Sequence, residues 1–570
     1  MQDIDYVDGL NLTGKANIGS VEQVDCKLFI SNKSFPQLQI ENSMHRRDLY
    51  DYFKTPPTTI EYISKWFRFT LYNNEFSGGA FSPEYIVMGA DPESVNGVEI
   101  SLSGLYSFFD GYSNLEVQDS HIGKNIKEHF VNTQFYIDND LYYFSVEHDF
   151  SYTKNIDTTT LVEDAYVKIW NPSGEISLDN IKKITKQIRI IFSLLLGFDL
   201  SIKKTWLVNK LGQRSNSFYF HSPSKSGQPF ERPHDCFIYS ANLLTEDEWV
   251  KILNSAFNNM SNSMTEFWVR LVSMFSYKGF WEYEILGVVS LLDAYSNSHH
   301  KLKTEKKISA HAFKKLRKQM KDVLIKYKES LPLNDKYSSS CEVIDNITLQ
   351  IGYIKNTNAQ DFKLKLNFLI ANISSNIKNL LDFKDDDFEM IIKIRNSAAH
   401  GSPIDESIMQ NIQRAMIVKE KIKFLLLYLL FKEMDFPDND FVRLCERTFN
   451  KIKLGATLDS YTLSVVFGNG VAFEVTQKNL DEAKKVSKMN MPIIYHVKSD
   501  RFEVNDTKLN EIVESIYTKN RGKHVDIATL IYSEYSYEGC FSVEYLPHVF
   551  LCFNDEKTEI HGVLLVKLND

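Results

Sequence analysis

The stretch IIKIRNSAAHGSP, residues 391–403, decides how the middle of this chain is read. Apolar residues lead into Arg395 and Asn396, two alanines lead to His400, and Gly401 and Pro403 follow. Glycine and proline just past an amphipathic run are helix-stop chemistry. Upstream, Asp385, Asp386 and Asp387 suit the positive end of a helix dipole, so the spacing predicts a helix over 385–400. On that helix Asn396 and His400 share a face, and Arg395 is displaced by about 100°. The three converge on one cleft only at the helix end, where geometry loosens after Ala399. An imidazole titrates in the range needed to move protons during RNA cleavage. A guanidinium fork fits the charge of a phosphorane, and an amide can orient either partner.

Around this helix the chain changes period twice. Residues 1–240 read as β-rich, with strand-like runs such as VDCKLFI, WFRFTLY and LYYFSVEHDF separated by turn signals. The turn signals are Gly78-Gly79, Asp91-Pro92, Asn96-Gly97, Asp138-Asn139-Asp140 and Asn171-Pro172. A sandwich or curved sheet fits them, interrupted by a helix over 178–197 that Gly197 stops. From 245 the spacing becomes helical. Thr245 and Glu248 make a capping box ahead of a stripe of Trp249, Ile252, Leu253 and Phe257. Helices are expected over 280–297, 301–328, 342–353, 361–382, 385–400 and 404–433, giving an all-α bundle over 245–450. Residues 456–570 read as a small α+β domain, beginning with a hairpin around Asn469-Gly470. The expected fold class is a multidomain α+β chain.

Composition narrows the function classes. Apolar content of 43% with 24% charged residues is ordinary for a soluble globular chain of 570 residues. A net charge of −9 argues against whole-chain attraction to nucleic acid, so an RNA site has to be a local patch. Six scattered cysteines without a CxxC pair fit a reducing, cytoplasmic setting. No signal peptide is expected, and the apolar run FLLLYLLF (424–431) is too short to span a bilayer and reads as a buried helix. Walker, Rossmann and HExxH patterns are absent, which disfavours nucleotide-driven and metalloprotease chemistry.

The helical segment with Arg-Asn-x-x-x-His on its penultimate helix resembles a HEPN domain. Together with FWEYEILGVVSLLDAYSN (280–297) and the long β-rich region before it, the chain is similar to ApeA-type HEPN proteins of bacterial anti-phage defence. The resemblance implies a metal-independent endoribonuclease whose catalytic arginine and histidine fall on Arg395 and His400, with Asn396 as polar companion. It implies dimers that pair through the motif helices, no cofactor, and products ending in a 2′,3′-cyclic phosphate and a 5′-hydroxyl. Related effectors cut single-stranded loops, tRNA anticodon loops among them. The alternative is a non-catalytic HEPN scaffold that binds RNA or a partner.

Further residues are expected to assist. Ser290, Asp293 and Asn297 form a polar strip at helical spacing, and Asp293 is a candidate to orient His400 or Arg395; a solvated face is the plain alternative. Residues 301–328 carry eleven Lys/Arg against two acids. Lys306, Lys307, Lys314, Lys315, Arg317, Lys318 and Lys321 are therefore the candidate phosphate contacts. Cys540, His548, Cys552 and His561 could in principle form a zinc site, but their spacing favours buried thiols, and no metal is expected. The N-terminal region is expected to sense a phage-derived trigger or to hold the nuclease closed. Arg214 and His221 repeat the Arg…His theme in strand-like sequence, where the match reads as accidental.

Overall fold

The computed structural model describes residues 4–5, 8–31, 34–41, 48–89, 91–92, 94–109, 115–118, 121–124, 129–154, 159–222, 229–259, 262–299, 308–331, 339–354, 362–400, 403, 405–485, 492–504, 507–519, 526–535 and 540–568. It is a multidomain α+β fold with a barrel-rich N-terminal region, a helical middle and a strand-containing C-terminal region. Met1–Leu291 with Ser375–Asp570 packs as one compact unit, and Leu292–Ser374 as a second. Among the described residues, no helix is long and apolar enough to cross a membrane.

The N-terminal strands are β1 (Leu10–Ile18), β2 (Val21–Ser31), β3 (Ser34–Ile40), β4 (Thr59–Ser64), β5 (Arg68–Ser77), β6 (Ala80–Met88) and β7 (Gly97–Leu102). They continue as β8 (Leu115–Gln118), β9 (His121–Lys124), β10 (His129–Ile137), β11 (Asp140–Lys154), β12 (Thr159–Trp170), β13 (Ile202–Val208) and β14 (Arg214–Phe220). Alternation is visible in β2, which buries Val24, Cys26, Leu28 and Ile30 on one face. Strands β1–β2–β3–β6–β5–β4 pair antiparallel in turn, and β4 pairs back onto β1, closing a barrel. Strand β6 is shared: Ala80 and Phe81 pair with β3, whereas Tyr85–Met88 pair with β14. From there the sheet runs on through β13, β7, β12, β11 and β10. The expected curved sheet is thus present, and the barrel closure is additional. Alternation tells which side of a strand is buried but not which strand meets its second edge.

The turn chemistry holds at two hairpins. Gly78 and Gly79 (φ 62° and 86°) join β5 to β6, and Asp138 and Asn139 (φ 49° and 73°) join β10 to β11. Asn96-Gly97 is not a turn. Asn96 is buried and donates its amide to the carbonyls of Asn171 and Gly174, and Gly97 opens β7 so close to β12 that a Cβ would lie 2.3 Å from the Ile169 carbonyl oxygen.

The Leu178–Leu196 helix is capped by the Ser177 hydroxyl and closed by Gly197 at φ 70°, as its sequence predicts. The Thr245–Glu248 capping box is also present. It starts a helix over Glu246–Asn254 whose Trp249, Ile252 and Leu253 are buried. Trp249 stacks among Phe109, Phe144 and Phe192, which joins this helix to the sheet and to the Leu178–Leu196 helix. Helices then follow over Asn262–Phe275, Trp281–His299, Ala310–Ser330 and Ser339–Tyr353. The helix expected over 361–382 is two, Phe362–Ala371 and Ser375–Leu381. Asp385–His400 is a single helix as expected, and the long helix spans Ile412–Glu433 after a short turn at Glu406–Met409. The whole FLLLYLLF run is buried in it.

The C-terminal sheet contains β15 (Val471–Glu474), β16 (Pro492–His496), β17 (Arg501–Val504), β18 (Cys540–Phe553) and β19 (Glu556–Leu568), in the order β15-β18-β19-β16-β17. The hairpin expected at Asn469-Gly470 does not form. Thr462–Val466 winds as a π-helix, and β15 pairs parallel with β18. Asp459 explains the difference, because its carboxylate accepts the Thr462 N–H at 2.7 Å and its carbonyl the Leu463 N–H at 3.0 Å. A capped helical start overrides the β preference of the valines that follow.

Candidate nuclease site

The Asp385–His400 helix is fixed at its first turn. Asp387 is fully buried, and its carboxylate accepts the backbone N–H of Lys384 at 2.9 Å, the reciprocal half of a capping box. The same carboxylate receives Arg414 from the Ile412–Glu433 helix in a two-pronged pair, Nε to Oδ1 at 2.6 Å and the terminal nitrogen to Oδ2 at 2.5 Å. Of the three aspartates read as dipole partners, this one is therefore a tertiary anchor. Ile391 and Ile394 are buried on the same side, one and two turns further along.

That stripe sets the orientation of the motif. Taking Ile394 as reference, Arg395 stands about 100° around the helix, Asn396 about 200° and position 400 about 240°. Arg395 is half-buried at the flank of the packed face, and Asn396 is exposed on the opposite face. His400 closes the helix; its side chain, like Gly401, lies outside the described residues. Nearby, Ser397 donates to the Lys393 carbonyl at 3.1 Å, and the Lys393 ammonium lies 3.3 Å from the Ser407 hydroxyl. Asp405 caps the Glu406–Met409 turn, and its hydrogen bonds from Ser407 hold the carboxyl below its ordinary range.

The Ile412–Glu433 helix is itself held by buried charge. Lys419 and Lys423 both donate to Glu284 of the Trp281–His299 helix, at 2.9 and 2.6 Å. Burial alone would raise the Glu284 carboxyl, but these two lysines outweigh it and keep it below the usual carboxylate range. Lys421 reaches the Asp382 carbonyl at 2.7 Å, and burial pulls its ammonium down. None of these lysines was singled out in the sequence. Their signal was present all the same: charged residues at 419–421 and 423 lead directly into an apolar helix, where only pairing makes burial tolerable.

Asp293 belongs to the second unit, where its carboxylate accepts the Asn297 amide at 3.1 Å and Lys365 donates to the Asn297 oxygen. Asp293 and Asn297 of the polar strip are thus hydrogen-bonded, with Asp293 half-buried, and Ser290 is exposed. Of the candidate phosphate contacts, Lys306 and Lys307 lie outside the described residues. Lys314, Lys315 and Lys318 are exposed on the Ala310–Ser330 helix, and Lys321 is half-buried. Arg317 is turned to structural use and donates to the Gly352 carbonyl of the Ser339–Tyr353 helix. Arg214, the other half of the accidental match, pairs with buried Glu99 and lies over the rings of Tyr166 and Trp206 at 4.4 and 4.2 Å.

Residues 286–440 match the family model described as Apea-like HEPN. No curated protein and no solved structure matches the chain. HEPN domains generally act as ribonucleases and commonly bind RNA and dimerise, so the match carries a nuclease-type or defence role at the level of the family. The match runs from within the Trp281–His299 helix, through the anchored motif helix and past the end of the buried one at Glu433, and supports a HEPN domain of the ApeA type over residues 286–440.

Proposed function

We propose that the chain is a metal-independent endoribonuclease that acts as the toxic effector of a cytoplasmic anti-phage abortive-infection system. The observation that carries this reading is the orientation of the motif helix: Asp387 and Arg414 pin its start, and the Asn396 face looks away from the packed stripe. A face that is rigidly held yet unburied suits a site completed by RNA and a second copy of the domain. In the proposed reaction the 2′-oxygen attacks the adjacent phosphorus, and the bond from phosphorus to the 5′-oxygen breaks. His400 moves protons, taking one from the 2′-hydroxyl or supplying one to the leaving oxygen. Arg395 stabilises the phosphorane, Asn396 positions the scissile group, and Asp293 is a candidate orienting residue. The exposed lysines of the Ala310–Ser330 helix, Lys314, Lys315 and Lys318, would draw in the RNA backbone, with single-stranded loops such as tRNA anticodon loops as substrate. The region 1–240 would act as the sensor of a phage-derived trigger, 245–450 as the nuclease bundle and 456–570 as a separate α+β domain.

The test is incubation of the purified full chain with total bacterial RNA and a tRNA pool in EDTA, beside Arg395→Ala and His400→Ala. Discrete fragments ending in a cyclic phosphate from the wild type alone are the expected result. Identical fragments from all three proteins would sink the assignment. RNA binding without turnover, under conditions in which phage infection produces no cleavage either, would favour the rival reading of a non-catalytic scaffold.

A further inference from the structure

Strands β18 and β19 pair antiparallel with His548 directly opposite His561. Just beside this pair the ladder is irregular: Gly562 has φ 68°, and Pro547, which has no N–H to offer, lies beyond the stretch of β18 that β15 covers. The irregularity places Leu546 and Val563 on the same core face as Val549 and Ile560, and leaves both histidines outside, each with a side chain 48% exposed. Their Nδ1 atoms stand 3.2 Å apart, with the rings nearly perpendicular. Glu559, two residues before His561 on the same face, brings Oε1 to 3.8 Å from the His548 Nδ1 and 3.8 Å from the His561 Nε2.

Two like nitrogens facing each other this closely share either a proton or a metal ion. A tetrahedral zinc bound at about 2.0–2.1 Å from each nitrogen would hold them about 3.3 Å apart, close to the 3.2 Å separation observed. Among the described residues, His548, Glu559 and His561 are a group whose ligand atoms all lie within 4.8 Å of one another. We propose that these three residues form a zinc site with water as fourth ligand, bridging β18 and β19 at their kink.

The cysteines that sequence spacing offered with these histidines play no part in it. Cys552 is buried four residues along β18 from His548, about 13 Å away at the usual strand rise, and burial raises its thiol, against the thiolate that zinc requires. The side chain of Cys540 lies outside the described residues. Glu559, a carboxylate, replaces them, and imidazole with carboxylate is an ordinary zinc set. The site owes nothing to the ribonuclease reading, and metal binding tests it alone.

The experiment is calorimetric titration of the chelator-stripped full chain with zinc chloride, beside His548→Gln, His561→Gln and Glu559→Gln. All three side chains are at least partly exposed, so folding of each variant is checked by its unchanged circular dichroism before titration. The wild type should take up one zinc per chain. Either histidine substitution should lower affinity by more than the roughly 10–100-fold that a supporting outer partner is worth, and Glu559→Gln by about tenfold. Zinc should also raise the melting temperature of the wild type and leave the histidine variants unmoved, because ligand bound only to the folded chain stabilises it. Binding should weaken on acidification as protons compete for the imidazoles. No uptake by the wild type would mean that the two rings share a proton only, and would end the proposal. Undiminished uptake by both histidine variants would place zinc elsewhere and end it equally.

Discussion

The Asp385–His400 and Ala310–Ser330 helices both lie inside the HEPN match, and they are built on opposite plans. The first buries Asp387, Ile391 and Ile394 and is pinned by a two-pronged ion pair. The second has no buried residue, and exposes Leu316, Met320, Val323 and Tyr327 as well as its lysines. The difference matches the demands made on each. A group that stabilises a transition state has to be held to within a fraction of an ångström, whereas charges that gather a polyanion act through a long-range field and tolerate loose placement. Buried anchoring is thus found in the helix that carries the proposed chemistry and missing from the helix where only attraction is needed.

The largest effect should come from the rigid side of that contrast. Arg395→Ala or His400→Ala should each lower RNA cleavage by roughly 10²–10⁴-fold, and the double variant should lose little more, since groups acting in one step are not additive. Single-turnover cleavage of a labelled RNA measures this. Additive losses would mean that the two residues serve separate steps, and the helix would cease to be a single catalytic unit.

Next is the anchor. Asp387→Ala leaves Arg414 without its carboxylate and Lys384 without its cap, and should cost about 2–4 kcal/mol, toward the lower end because Arg414 is 30% exposed and can rehydrate. The urea midpoint gives the stability, and cleavage should fall with it even in buffer where the variant is folded. A folded Asp387→Ala enzyme with full activity would break the link between anchoring and chemistry drawn above.

On the loose side the effect should be smaller and of another kind. Replacing Lys314, Lys315 and Lys318 together by glutamine should leave the unfolding midpoint unchanged, since all three are exposed. It should weaken RNA binding and reduce the slope of log affinity against log salt by about 2, at roughly 0.7 per phosphate contact on single strands. Fluorescence anisotropy at several salt concentrations reads both. An unchanged slope would remove this helix from the RNA path, leaving the basic run as a solvated face.

The same contrast explains what was legible beforehand. The motif helix could be bounded at 385–400 because its signals are local: acids at the start, helical periodicity, glycine and proline at the stop. The capping box at Thr245 and the stop at Gly197 were legible for the same reason. What was missed is non-local. The β1–β4 pairing that closes the barrel and the Asp387–Arg414 anchor each join residues whose sequence neighbourhoods hold no hint of the partner. The hairpin expected at Asn469-Gly470 does not form because the capping aspartate ten residues before it outweighs the turn preference of the dipeptide. As for the candidate site, the sequence identified which side chains to consider, and packing alone determined which way they face.

The smallest effect separates buried charge from exposed charge by pH. Glu284 is held below the ordinary carboxylate value of 4.5 because Lys423 and Lys419 outweigh the cost of its burial. A depressed folded value means that the stability it contributes is complete above the unfolded value and is lost as pH falls through the folded one. Unfolding midpoints should therefore hold steady from neutrality down to about pH 5 and decline below it, with a shallower decline in Glu284→Gln. That variant should also be less stable at neutral pH, since it takes the nearer carboxylate from two buried lysines and leaves them Glu420, at 3.0 Å from Lys419 and 3.6 Å from Lys423. The exposed Lys328–Asp345 pair, between the Ala310–Ser330 and Ser339–Tyr353 helices, supplies the control. Solvent and salt screen it, so Asp345→Asn should leave both the neutral midpoint and the acid limb where they were. If Asp345→Asn moved the acid limb as far as Glu284→Gln does, burial would not be what separates these two regions, and the contrast between an anchored helix and a merely attractive one would lose its physical basis.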